Sequence, residues 1–128
     1  MRLDHITIRT GDLDRARRFY RNVLALEEGY RPPFSDFPPG AWFYNSQNDP
    51  VVHLSTSREQ TGGLLAAMDH IAFRTTDLEN TIARLRENGV DYKVEEVSEV
   101  KLTQVFFHDP DGVRIEVNFV DQESEAEN

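Results

Sequence analysis

Near its start the chain alternates: Ile6 and Ile8 fall on one side, and Leu3, His5, Thr7 and Arg9 on the other. That period of two predicts a half-buried strand. Asp12 then stands where a helix N-cap belongs, and Leu13, Ala16, Phe19, Tyr20, Val23 and Leu24 recur at helical spacing. Strand-like runs follow near 27–31, 41–46 and 51–55. Further on, Ile71 and Phe73 alternate against His70, and Asp77 caps a helix carrying Leu78, Ile82 and Leu85 that Asn88-Gly89 stops. Three more strand-like runs lie near 91–97, 103–108 and 113–120, the last two joined by the turn signal Asp109-Pro110-Asp111-Gly112. The plan is βαβββ written twice, an α+β fold.

The second series copies the first. Leu3-Asp4-His5-Ile6-Thr7-Ile8-Arg9-Thr10-Gly11-Asp12-Leu13 aligns with Met68-Asp69-His70-Ile71-Ala72-Phe73-Arg74-Thr75-Thr76-Asp77-Leu78 at a constant offset of 65. Val51-Val52-His53-Leu54 matches Arg114-Ile115-Glu116-Val117 at an offset of 63. The repeats span about 1–58 and 66–120. A half of that size is not expected to be stable alone, so residues 1–120 are expected to form a single domain. The tail 121–128 is acidic and is expected to be disordered.

Composition removes several classes of function. Fourteen basic against 23 acidic residues give a net charge of −9, of which Asp121, Glu123, Glu125 and Glu127 supply four. No basic stripe is available for nucleic acid. The absence of Cys excludes disulfides, a thiolate nucleophile and Cys-bound zinc or iron–sulfur clusters. No apolar run reaches transmembrane length, and Met1-Arg2-Leu3-Asp4-His5 lacks the opening of a signal peptide. No membrane partner is expected, and the expected location is cytoplasmic.

The histidines take part in the repeat. His5 and His70 are mutual equivalents, and His53 is the equivalent of Glu116. Strand alternation sets His5 against Ile6 and Ile8, His70 against Ile71 and Phe73, His53 against Val52 and Leu54, and Glu116 against Ile115 and Val117. All four polar groups therefore face away from the helices. Taken singly, each reads as a polar residue on the wet face of a sheet. Taken together, imidazole and carboxylate at repeat-equivalent positions are the donor types that bind borderline divalent metals, and two His with one carboxylate is a recognised Fe(II) arrangement.

With Leu3-Asp4-His5-Ile6, Met68-Asp69-His70-Ile71 and the Asp109–Gly112 turn leading to Ile115-Glu116-Val117, residues 1–120 resemble the vicinal oxygen chelate superfamily. That superfamily includes glyoxalase I, methylmalonyl-CoA epimerase, fosfomycin-resistance enzymes, bleomycin-binding proteins and extradiol dioxygenases. The resemblance implies two βαβββ repeats forming a cup-shaped, half-open mixed β-sheet, the glyoxalase-like fold. It also implies one divalent metal ion (Fe, Zn, Ni or Mn), with His5, His70 and Glu116 as ligands, and a homodimer. His53 occupies the fourth position, where glyoxalase-like members carry Glu or Gln and extradiol enzymes place no ligand.

Such an ion polarises a carbonyl and stabilises the anion that forms. Glu116 is then a candidate proton carrier, and His53 either a further ligand or an acid–base group. Arg9, Arg74 and Arg114 share the face of the candidate ligands and either clamp a substrate carboxylate or phosphate or balance the excess acid. Asn118 is a candidate hydrogen-bonder to substrate, and His108 reads as a solvated surface residue. In the proline-rich connection 30–45, Phe34 and Phe37 suggest a lid or pocket wall, whereas Trp42 to Tyr44 read as a core strand. The leading expectation is a metal-dependent, glyoxalase-like isomerase, epimerase, lyase or transferase acting on a small molecule with adjacent oxygens. The alternatives are an Fe(II)-dependent extradiol dioxygenase and a metal-free drug-sequestering protein of the bleomycin-resistance type.

Overall fold

A computed structural model describes residues 3–33, 38–56 and 70–120. Phe34, Phe37, the Met68-Asp69 pair and the tail 121–128 lie outside the described residues. The chain divides into two compact units, Met1–Thr61 and Gly62–Asn128.

The first unit runs β1 (Ile6–Thr10), α1 (Leu13–Asn22), β2 (Glu27–Gly29), β3 (Gly40–Tyr44) and β4 (Pro50–Thr56). Its four-stranded sheet has the order β1-β4-β3-β2, with β1 parallel to β4 and the other pairs antiparallel. Helix α1 starts where Asp12 puts its side-chain oxygen 3.0 Å from the Arg15 N–H, satisfying a donor that has no partner within the helix. Its apolar stripe of Ala16, Phe19 and Tyr20 is buried, with the Tyr20 ring 6.1 Å from that of Phe43 on β3. Ile8, Ala41, Val52 and Leu54 complete this core. Strand β2 is shorter than the run near 27–31 suggested. It ends at Gly29, whose backbone lies beneath the Tyr44 ring, and Tyr44 donates its hydroxyl to the Tyr30 carbonyl at 2.5 Å.

The second unit repeats the plan with β5 (Ile71–Arg74), α2 (Leu78–Glu87), β6 (Lys93–Val97), a short 3-10 turn (Ser98–Val100), β7 (Leu102–His108) and β8 (Arg114–Val120). The sheet order β5-β8-β7-β6 matches the first, again with the first and last strands of the repeat, β5 and β8, paired in parallel. Asp77 caps α2 as Asp12 caps α1, accepting from the Asn80 N–H at 3.1 Å. Leu85, Val105, Phe107, Ile115 and Val117 are buried. The β7–β8 turn is built by Asp109, whose Oδ1 accepts from the N–H groups of Asp111 and Val113 at 2.9 and 2.8 Å, while Gly112 takes a φ of 89°. Both units are thus mixed, four-stranded βαβββ sheets, the fold the repeat predicted.

Candidate functional site

In the first unit β1 and β4 run side by side, with Ile8 and Leu54 in register and both buried. Their alternation turns His5, Arg9 and His53 away from that core. His5 and His53 meet as parallel rings, with centroids 3.9 Å apart and planes 12° from coplanar. On its other side His53 stacks on Trp42, its register partner on β3, at 3.9 Å and 10°. The stack is pinned at two further points. The carboxylate of Asp4 lies 2.6 Å from His5 Nδ1, and because a carboxylate only accepts, Nδ1 carries a proton, which in the neutral ring leaves the lone pair on Nε2. His53 Nε2–H donates to the Pro50 carbonyl at 3.0 Å, leaving Nδ1 as its free nitrogen. Burial holds the His53 pKa below its ordinary value, and His5 and the Arg31 guanidinium push the same way, against the Pro50 carbonyl and the Asp4 carboxylate.

In the second unit Glu116 on β8 is buried, on the sheet face opposite Ile115 and Val117. Its Oε1 lies 3.8 Å from His70 Nε2, too far for a hydrogen bond. Its Oε2 accepts from Asn118 Nδ2 at 2.9 Å, and Asn118 Oδ1 in turn accepts from Gln104 Nε2 at 3.3 Å. The two amides fix the carboxylate plane and leave Oε1 aimed toward the imidazole. Arg114 lays its guanidinium 4.9 Å from the centre of the Phe106 ring, the register partner of Glu116 on β7. Arg9 and Arg74 are exposed on their strands, and so is His108 at the end of β7.

These geometries bear on a bound cation. Two donors each about 2.1 Å from one ion lie at most about 4.2 Å apart, so the 3.8 Å gap between His70 and Glu116 is one an ion can bridge. The Asp4–His5 contact is of the kind that orients a metal-bound imidazole. Each half thus carries donors of a suitable type. Among the described residues, no group of three or more His, Cys, Asp or Glu stands close enough to hold an ion.

Four participants were not identified from the sequence. Trp42 is not a core residue: Ala41 and Phe43 fill the core at 2% and 0% exposure, and Trp42 between them faces the histidines. Alternation along β3 carried that signal. Gln104 follows only from the β7–β8 register, which pairs it with Asn118. Asp4 carried a signal in the repeat, which matches it with Asp69, whereas Arg31 left none. Asn118, the expected hydrogen-bonder to substrate, donates to Glu116.

The Glyoxalase/Bleomycin resistance protein/Dioxygenase superfamily profile matches residues 2–117, and the chain belongs to that superfamily. Glyoxylase I 4 of Arabidopsis thaliana is 30% identical over 122 residues, covering 90% of this chain and 68% of the relative. Lactoylglutathione lyase of Neisseria meningitidis is 30% identical over 129 residues, covering 91% and 88%. The fold also matches a mutant of the fosfomycin resistance protein FosX from Listeria monocytogenes, solved with Mn(II) and 1S,2S-dihydroxypropylphosphonic acid. That match has a TM-score of 0.71 at 21% identity over 99% of this chain and 98% of the other. Among the described residues, no helix is long and apolar enough to cross a membrane.

Proposed function

We propose that this protein is a metal-dependent enzyme of glyoxalase type, moving a proton beside a carbonyl in a small substrate that bears two adjacent oxygens. The observation that carries the proposal is the His70–Glu116 pair, in which one carboxylate oxygen is tied to Asn118 and the other is turned toward an imidazole. His70 and Glu116 are the candidate ligands of the second unit and His5 that of the first; a divalent ion bound there would supply Lewis acidity. Glu116 takes and returns the proton, and Asn118, backed by Gln104, holds its Oε2. Arg9, Arg74 and Arg114 meet an anionic group on the substrate. The working form is a homodimer, checked by sedimentation. The kinship with a lactoylglutathione lyase and the Mn(II) of the FosX structure support this reading.

The test is metal binding by the full chain. Elemental analysis and titration with Zn(II), Ni(II) and Mn(II) are expected to find one ion per chain. His70→Ala and Glu116→Ala should lose it while keeping the circular dichroism of the parent. Unchanged binding in either variant refutes the assignment. A second reading, Fe(II)-dependent ring-cleaving dioxygenase, is favoured by one feature: if His53 is committed to its stack, two His and one carboxylate remain. Iron in the purified protein, with oxygen uptake on a catechol, selects it.

A further inference from the structure

The repeat sets His53 where Glu116 stands, and so at a ligand position, but its surroundings point elsewhere. A nitrogen ligates through a lone pair in the plane of its ring. The His5 and His53 planes differ by only 12°, so they do not converge near either ring. An ion in the plane of one would lie roughly 3.5 Å out of the plane of the other, well beyond a metal–imidazole bond of about 2.0–2.1 Å. His53 is also held from two other directions, by the Pro50 carbonyl and by Trp42.

We infer that His53 is a positioning residue rather than a ligand. With Trp42 it forms a two-ring buttress that presses His5 against the Asp4 carboxylate and sets the direction of His5 Nε2. The four contacts on His5 and His53 do complementary work. Asp4 fixes which nitrogen of His5 carries the proton. Stacking on His53 fixes the tilt of the His5 ring, and the Pro50 hydrogen bond and Trp42 keep His53 from sliding. The first half of the chain then offers one ligand and the second half two. The inference rests on the metal-binding reading for what the buttress serves, but not for the existence of the stack.

A ring without nitrogen separates the two roles. His53→Phe keeps a flat ring between Trp42 and His5 and removes both nitrogens. His53→Ala removes the ring as well, and His5→Phe removes a proposed ligand. Affinity for Zn(II) and Ni(II) is measured by competition with a chelating dye. His53→Phe is expected to stay within about threefold of the parent. His53→Ala should lose about 10–100-fold, the usual effect of removing a group that orients a ligand. His5→Phe should lose more than His53→Ala. A fall for His53→Phe as large as that for His5→Phe would make His53 a ligand and overturn the inference. So would a His53→Ala variant that binds as the parent does.

A parent that binds none of these metals overturns the proposed function instead, and the stack is then judged on the metal-free protein. There the His5 ring protons should be shifted upfield by the neighbouring ring, and should return toward free-imidazole values in His53→Ala but not in His53→Phe. Emission from Trp42, the only tryptophan, should change in His53→Ala. Unshifted His5 protons in the parent would show that no stack exists.

Discussion

Replacing Asn118 removes an amide that donates to the buried carboxylate of Glu116, and the size of the loss follows from the bonds it makes. The bond is 2.9 Å long and its acceptor is ionised, a class worth about 1.5–3 kcal/mol. The Gln104–Asn118 bond, longer at 3.3 Å and neutral, adds about 0.5–1 kcal/mol. Asn118→Leu, close in volume but without a donor, should therefore cost about 2–4 kcal/mol. Urea unfolding followed by far-ultraviolet circular dichroism, in EDTA so that bound metal adds nothing, reads this as a midpoint lowered by roughly 1 M or more. Two further variants separate the hydrogen bonds from packing. Gln104→Ala should cost about 1 kcal/mol or less, because Asn118 keeps its bond to Glu116. Asn118→Leu combined with Glu116→Leu should be more stable than Asn118→Leu alone, because no carboxylate is then left buried without its donor. A single-variant cost below about 0.5 kcal/mol, or strictly additive costs in the pair, would refute the account of Asn118 as the anchor of Glu116.

Two other outcomes follow from the first unit. A side chain at Gly40 would strike the Leu54 carbonyl oxygen and crowd the Arg31 guanidinium at 3.1 Å, so Gly40→Ala should cost about 1–3 kcal/mol in the same assay. A variant as stable as the parent would show that β3 and β4 have room to part. In metal-free protein His53 should titrate below 6.5 in an NMR pH series, because burial and the neighbouring His5 disfavour its charged form. Between that lowered value and 6.5 the unfolded chain binds more protons than the folded one, so stability falls as pH is lowered through the window and stops falling below it. A His53 midpoint at or above 6.5 would contradict the packing described.

Local signals carried most of the fold. Asp12 and Asp77, each followed by helical spacing, cap the two helices, and the Asp109–Gly112 turn joins β7 to β8. Alternation gave the facing of His53 and Glu116 because each is flanked by residues that bury, and that of His5 because Ile8 further along β1 buries on the opposite side. What stayed hidden depends on register between strands distant in the chain. Nothing near Gln104 in sequence indicates that it lies opposite Asn118, and nothing near Trp42 indicates His53 as its partner. Such pairings are set by how whole strands dock, and a slip of one residue would turn each side chain to the other face. Strand ends were also less legible: the run near 91–97 begins as a strand only at Lys93.

The two halves show how duplication and divergence divide the work of a site. In each, an aromatic ring on the third strand stands in register with the candidate residue on the fourth: Trp42 with His53, and Phe106 with Glu116. An imidazole can lie flat on such a ring and pass the contact on to a second imidazole, which is what His53 does for His5. A carboxylate gains nothing from an aromatic face, whose π-electrons repel an anion. Phe106 instead lies beneath the Arg114 guanidinium, and Glu116 takes its support edge-on from Asn118. One residue type at one repeated position therefore changes the whole support system around it, from stacked rings in one half to hydrogen-bonded amides in the other. The halves are therefore not two copies of one surface. The second brings His70 to 3.8 Å from an amide-held carboxylate, whereas the first stacks two imidazoles on Trp42.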